Sequence, residues 1–168
     1  DLHPWQRHLC HIHGYAEGWA HYAEQLADEL GLVRDPAERL GLILGRIWRS
    51  VRIVADIGLH TDAPIPPNPL VTETRWTPAL AERMLVEQAL VEPHLAEFEV
   101  ARYLGWPGQA LAYKTGELKI KELRGRAEQQ LGERFDIRQF HAEVLKDGSV
   151  PLDVLEEKID AWVASQKA

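Results

Sequence analysis

The 168-residue sequence contains one cysteine, Cys10, and this scarcity limits the kinds of site that the chain can build. A single thiol excludes an internal disulfide and any zinc site made from several cysteines. A block of like charge is also missing, because 26 acidic and 19 basic residues are interspersed, giving a net charge of −7 with neutral histidines. The sequence therefore lacks the electrostatic footprint of a nucleic-acid-binding or anionic-membrane-binding protein.

Long apolar runs are absent as well. The longest ones are short and interrupted by arginine, as in residues 41–46, Gly-Leu-Ile-Leu-Gly-Arg, so we expect no membrane-spanning segment. The sequence begins at Asp1 without a methionine, a signal peptide or a lipidation motif, and we interpret it as lacking the natural N-terminus. It therefore assigns no cellular compartment.

Alternation of apolar and polar residues, the mark of a strand, does not extend over any useful length. Apolar residues recur instead at spacings of three and four, which predicts helices almost throughout. We expect an all-α multi-helix bundle of about six to seven helices, forming a single domain over residues 1–168. Prolines at 64, 66, 67 and 69 place an extended connector at residues 62–76 within that domain.

Caps and breakers mark the ends of the predicted helices. The first runs from about Ala16 to Leu30, before Gly31, and the second begins at the N-cap Asp35 and Pro36. Further helices are predicted from Thr77-Pro78 to about Glu92, over roughly 93–104, from Tyr113 to Leu131, from Asp136 to about Lys146 and from Pro151 to near Gln166. The second helix carries an apolar stripe of Leu40, Leu44, Ile47, Val51 and Val54. On the fifth predicted helix, from Tyr113 to Leu131, we expect Glu117 and Lys121 to form a pair on the exposed side.

A line of polar residues lies beside the apolar stripe of the first helix. His13, Glu17 and His21 are four residues apart and share one face if the helix extends back to His13. Imidazole and carboxylate groups at this spacing suit a zinc ion, although a solvated polar face would show the same pattern. His11 and His13 would share a face only in a strand, so we do not expect them to form a helical metal pair.

Common catalytic motifs are missing. The sequence has no His-Glu dipeptide and hence no H-E-x-x-H zinc motif, and it has no G-x-S-x-G, G-x-x-x-x-G-K-[ST] or G-x-G-x-x-G.

Four segments, taken together and in order, resemble a known family. Residues 14–24 contain E-G-W-A-x-Y-x-E, and residues 52–60 match R-x-x-x-D-x-G-x-H. Residues 102–116 follow R-Y…P-G-Q-A-x-x-Y-K-x-G, and residues 140–152 are similar to the C-terminal signature of the same family. The sequence thus resembles the bacterial domain-of-unknown-function family 885, which is similar to helical zinc metallopeptidases of the glutamate-zincin type.

The resemblance implies the C-terminal portion of a zinc-dependent hydrolase that cleaves peptide bonds. In such enzymes two histidines and a base glutamate come from H-E-x-x-H, and a later helix supplies a third ligand, which corresponds to Glu17 here. His21 and His13 are further candidate ligands. The missing motif is expected upstream, in an N-terminal part of the parent chain, so the isolated chain should bind zinc weakly or not at all and be inactive.

The resemblance also suggests residues that act on a peptide-like substrate. Tyr103 and His60 are candidates for stabilising the oxyanion, although Tyr103 would equally suit the core and His60 a helix end. Arg102 and Lys114 could hold a substrate carboxylate and Tyr113 could line the cleft. Arg102 could instead pair with Glu99, and Lys114 could simply be exposed.

A second hypothesis is a non-catalytic helical module for protein interaction, because the mixed-charge surface and the proline-rich connector would serve docking. Two smaller patterns have structural interpretations. Gly41 and Gly45 are spaced for close packing of helices, and Arg52 and Asp56 for a structural ion pair.

Overall fold

The computed structural model describes residues 2–167 and confirms the all-α prediction, with eight α-helices and no strand in that range. The helices are α1 (Pro4–His8), α2 (His13–Glu29), α3 (Pro36–Thr61), α4 (Pro78–Ala89), α5 (Pro93–Gly105), α6 (Ala112–Leu131), α7 (Ile137–Leu145) and α8 (Leu152–Ser165). Short 3-10 turns occupy Gln109–Leu111 and Gly132–Arg134. The short α1 is the helix that the periodicity does not reveal.

Side-chain caps set the helix boundaries much as the sequence predicts. The Asp35 carboxylate accepts a hydrogen bond from the Ala37 amide at 2.7 Å, and Glu38 completes a capping box. Thr77 caps α4 through the Leu80 amide at 3.1 Å. α4 ends at Ala89, earlier than expected, because Leu90 adopts a left-handed backbone conformation with φ of 54°.

The described residues form two compact units. One contains the chain up to Ala23 together with the chain from Thr115 onward, and the other is Glu24–Lys114.

In the Glu24–Lys114 unit, α3 packs against α4 and α5. Small and branched side chains fill the space between these helices, which permits close contact. The buried apolar residues include Val51, Ala55, Leu80, Ala81, Leu85, Ala96 and Val100.

The connector between α3 and α4 has no helix over residues 62–77, and part of it packs against the core. Ile65 is buried and its amide donates to the Thr74 carbonyl at 3.2 Å. The Trp76 ring lies directly on Gly58, where an added Cβ would come within 2.2 Å of ring atoms. The connector therefore covers one side of the core.

α3 buries a different part of its surface than the apolar stripe suggests. Leu40, Ile47 and Val54 remain 56%, 37% and 44% exposed, whereas the polar residues Arg52 and Asp56 are buried. The apolar arc of this helix is wider than the area that α4 and α5 cover. Periodicity identifies such an arc but not the part that neighbouring helices occupy.

In the other unit, α2 and α6 approach so closely that their backbones touch. A Cβ added at Gly18 would lie 2.4 Å from the Gly116 Cα, and one added at Gly116 would lie 1.8 Å from the Gly14 carbonyl oxygen. Only glycine fits at this crossing. The apolar core around it includes Ile120, Leu123, Phe140, Val144, Leu155 and Ile159.

Among residues 2–167, none of the helices has the combination of length and apolar composition needed to cross a bilayer.

The glycine crossing can be tested with a matched pair on α6. Gly116→Ala forces backbone atoms apart, so we expect it to lower the free energy of unfolding by about 1–3 kcal/mol or more. Gly125→Ala is the control because its Cβ meets nothing within 4 Å, and we expect a gain of about 0.5–1 kcal/mol from lower backbone entropy in the unfolded chain. Urea unfolding followed by circular dichroism measures both, and equal stability of the two variants would contradict the tight crossing.

Candidate functional site

The predicted site residues are divided between the two units. His13, Glu17 and His21 belong to the unit that contains the chain up to Ala23, and His60, Arg102, Tyr103, Tyr113 and Lys114 belong to the Glu24–Lys114 unit.

A cluster of metal-ligand types forms where α2 begins. The helix does extend back to His13, and ligand atoms of His11, His13 and Glu17 all lie within 4.8 Å of one another. The rings of His11 and His13 meet edge to face with centroids 4.7 Å apart. Imidazole nitrogens with a carboxylate oxygen match the donor set that zinc prefers, so these residues fit the metal that the resemblance implies.

His11 enters this cluster through backbone that is not helical. It precedes the first residue of α2, and the amide of the next residue, Ile12, donates to Ser149 Oγ at 2.9 Å. His11 and His13 therefore share no helix face, and the loop before α2 brings their rings together instead.

His21 lies elsewhere, in a buried polar group between α2 and α6. It is 1% exposed, and its Nε2 is 3.3 Å from Oε2 of Glu117, which is fully buried. Lys121 Nζ contacts the other carboxylate oxygen of Glu117 at 2.5 Å. The expectation that the Glu117–Lys121 pair lies on the exposed side is wrong for Glu117, because the glycine crossing draws this part of α6 against α2.

In the Glu24–Lys114 unit, a buried carboxylate orients His60 near the end of α3. His60 Nδ1 lies 2.9 Å from Asp56 Oδ1 and 2.8 Å from the Asp56 carbonyl oxygen. Asp56 is fully buried, and its Oδ2 accepts the Gly108 amide at 3.0 Å. This geometry favours a proton on Nδ1 and leaves the Nε2 lone pair of the partly exposed ring for a further partner.

Glu99 organises the polar residues of α5. It accepts hydrogen bonds from Arg102 at 3.2 and 2.8 Å and from the Tyr103 hydroxyl at 2.7 Å. Burial opposes ionisation of Glu99, but these hydrogen bonds and the charges of Arg102 and Arg52 hold the pKa of its carboxyl below the ordinary value. Arg102 thus makes the pair with Glu99 that the sequence leaves open.

Tyr103 is 1% exposed and belongs to the buried core of the unit. Burial and the hydrogen bond to Glu99 raise the pKa of its hydroxyl well above the ordinary value, which keeps the hydroxyl protonated.

Tyr113 lines a cavity of about 390 Å³ in the same unit. The centre of the Arg52 guanidinium lies 4.6 Å from the centroid of the Tyr113 ring, and that of Arg49 lies 5.5 Å from it. Lys114 is half-buried and does not line this cavity. The wall of the cavity includes Leu42, Trp48, Arg49, Arg52 and Tyr113.

Gly41 and Gly45 also line this cavity, whereas the sequence suggests a helix-packing role. A Cβ at Gly41 would meet nothing within 4 Å, and one at Gly45 would meet only the tip of the Arg49 side chain at 3.0 Å. The two glycines therefore leave space beside α3 rather than admit another helix.

Sequence reasoning missed the roles of Asp56 and Arg52. A usable signal was present, because Arg52, Asp56 and His60 follow one another at intervals of four and charged residues within an apolar helix face are rarely buried without a purpose. The structure gives the first two separate partners: Asp56 holds His60, and Arg52 lies over Tyr113.

Two comparisons relate the chain to known proteins, and a search of curated proteins finds no match. Residues 1–159 match the sequence profile of the family described as "Bacterial protein of unknown function (DUF885)". A solved structure described as "the putative lipoprotein from Colwellia psychrerythraea" is 39% identical, with a TM-score of 0.85. The match covers 96% of this chain and 26% of that one, so the chain spans about a quarter of that relative's length. The family resemblance seen in the four sequence segments is thus confirmed, and the chain belongs to the DUF885 family of bacterial proteins of unknown function.

Proposed function

We propose that the chain is part of a zinc-dependent peptidase-like hydrolase and supplies Glu17 as a metal ligand. The observation that carries the proposal is the convergence of His11, His13 and Glu17 at the start of α2, within 4.8 Å. The resemblance of the E-G-W-A segment to the family pattern points to the same glutamate. Because the chain spans 26% of its solved relative, the proposed activity is that of a longer protein.

When bound, zinc would polarise the carbonyl of a peptide bond and lower the pKa of a water molecule. Glu17 would bind it through a carboxylate oxygen as the third ligand beside the two histidines of an H-E-x-x-H motif, with the imidazole groups of His13 and His11 next to it. The loop before α2 holds these side chains together, since Ile12 is tied to Ser149.

His60 is the residue that we propose for proton transfer. Asp56 fixes Nδ1 as the protonated nitrogen, and Nε2 can then accept a proton or, once protonated, donate one. The Tyr103 hydroxyl donates a hydrogen bond to Glu99 and would hold this carboxylate in place. Glu99 would in turn position Arg102.

One observation favours the second hypothesis, a helical interaction module. Leu40, Ile43, Ile47, Val54 and Ile57 are exposed along α3. Their spacing places them in one row, which suits an amphipathic helix of a partner. This function would need no metal.

The metal site predicts a specific dependence on Glu17. We expect the metal-free chain to bind one zinc ion weakly, and Glu17→Gln to lower its affinity about tenfold or more because a charged ligand is lost. Isothermal titration with Zn²⁺ and the visible absorption of bound Co²⁺ report this directly. Glu29→Gln, at the other end of α2, is the matched control for Glu17→Gln. Zinc affinity that is undiminished in Glu17→Gln would remove this residue from the site.

Hydrolysis itself is tested on two proteins. The purified, zinc-loaded chain should not cleave a fluorogenic peptide, because it lacks the base glutamate of H-E-x-x-H. The longer Colwellia relative should cleave it, lose activity with a chelator, and lose it again when the glutamate aligned with Glu17 becomes glutamine. Turnover by the isolated chain, or an inactive zinc-loaded relative, would contradict the proposal.

A further inference from the structure

We infer that the cavity beside Arg52 binds the carboxylate group of a small organic acid with an apolar or aromatic body. The cavity, of about 390 Å³, lies between α3 and the start of α6, within the Glu24–Lys114 unit. The inference rests on the charges and shape of this cavity and does not depend on the proposed zinc chemistry.

Arg52 is a buried cation with little local compensation. It is 6% exposed, and its Nε makes no hydrogen bond to any residue in the range 2–167. The nearest carboxylate oxygen in an ion pair with it is Glu99 Oε2, at 4.0 Å. One guanidinium nitrogen approaches Gln109 Oε1 at 3.5 Å, which is a long contact to a neutral group. Burying a cation without close pairing is costly, so a bound anion would stabilise this arrangement.

The neighbouring charges are already matched to one another. Arg102 binds Glu99 through two hydrogen bonds, and the Tyr103 hydroxyl takes a third position on that carboxylate. On the wall of the cavity, Arg49 donates to both oxygens of Glu24 at 3.1 and 2.6 Å. Arg49 and Arg102 therefore each have a close carboxylate partner, whereas the ion-pair contact of Arg52 with Glu99 is 4.0 Å long.

The shape and lining favour a carboxylate over a phosphate. A guanidinium group is planar and donates in a fork that suits a carboxylate, and Tyr113 supports that of Arg52 from its ring face at 4.6 Å. Leu42, Trp48 and Tyr113 offer apolar and aromatic surface for the rest of the ligand. Inorganic phosphate has no apolar part to occupy this surface, so the lining favours an organic acid.

The direct test compares an acid with its neutral isostere. Titration calorimetry or ligand-detected NMR of the chain, with a chelator present to exclude metal effects, is run with N-acetyl-L-phenylalanine, its amide and inorganic phosphate. We expect saturable binding of the acid and affinity at least about tenfold lower for the amide, the loss expected when a charged hydrogen bond is removed. Equal binding of acid and amide, tighter binding of phosphate, or no binding of the acid at about 10 mM would overturn the assignment.

Two kinds of variant locate the binding. Arg52→Met should lower the affinity for the acid about tenfold or more, and Arg52→Lys should restore only part of it because the planar fork is missing. Since Arg52 variants could also unfold the chain, Gly41→Leu provides a second route. Its side chain starts in open space on the cavity wall, so the fold should persist while acid binding falls about tenfold.

Gly125→Leu makes the same change on α6, away from the cavity, and should leave acid binding unchanged. A folded Gly41→Leu variant that binds the acid as well as Gly125→Leu does would exclude this cavity as the site.

Discussion

The Glu99 carboxylate is the interaction on which the polar part of the Glu24–Lys114 unit depends. It is nearly buried, yet it stays ionised because Arg102 and Tyr103 donate three hydrogen bonds to it. In doing so it fixes the position of both side chains and occupies its own lone pairs. The Nε atom of Arg52 is then 4.0 Å from Glu99 Oε2, and its guanidinium lies over the Tyr113 ring. One acidic group thus organises the polar side chains of α5 and keeps only a long contact with Arg52 of α3.

In the other unit, the close approach of the α2 and α6 backbones organises the buried polar side chains. The meeting of α2 with α6 at Gly18 and Gly116 brings helix surfaces together that ordinary side chains would hold apart. This closeness buries Glu117 and gives His21 a charged partner. His21 is thereby separated in role from Glu17, four residues earlier on the same helix. Helical spacing alone would have assigned the two residues to one site.

Most of the fold follows from local signals in the sequence. Asp35, Thr77 and Asp136 begin helices where their side chains can cap free amides, and prolines exclude helix between α3 and α4. The candidate site is less predictable. His60 was identified through a family resemblance, but its partner Asp56 was assigned to Arg52, because all three residues share a helix face and spacing does not rank their contacts.

The amino-acid sequence by itself determined the all-helical class, most helix boundaries and the family, since caps, breakers and periodicity act over a few residues. Only the tertiary structure decided which side of α3 is covered, which glutamate is buried and which arginine lacks a close counter-charge. Burial and pairing depend on residues far apart in the chain, such as Arg52 and Glu99 or His21 and Glu117. Local patterns hold no information on these distances, and the chemistry assigned to each side chain depends on them.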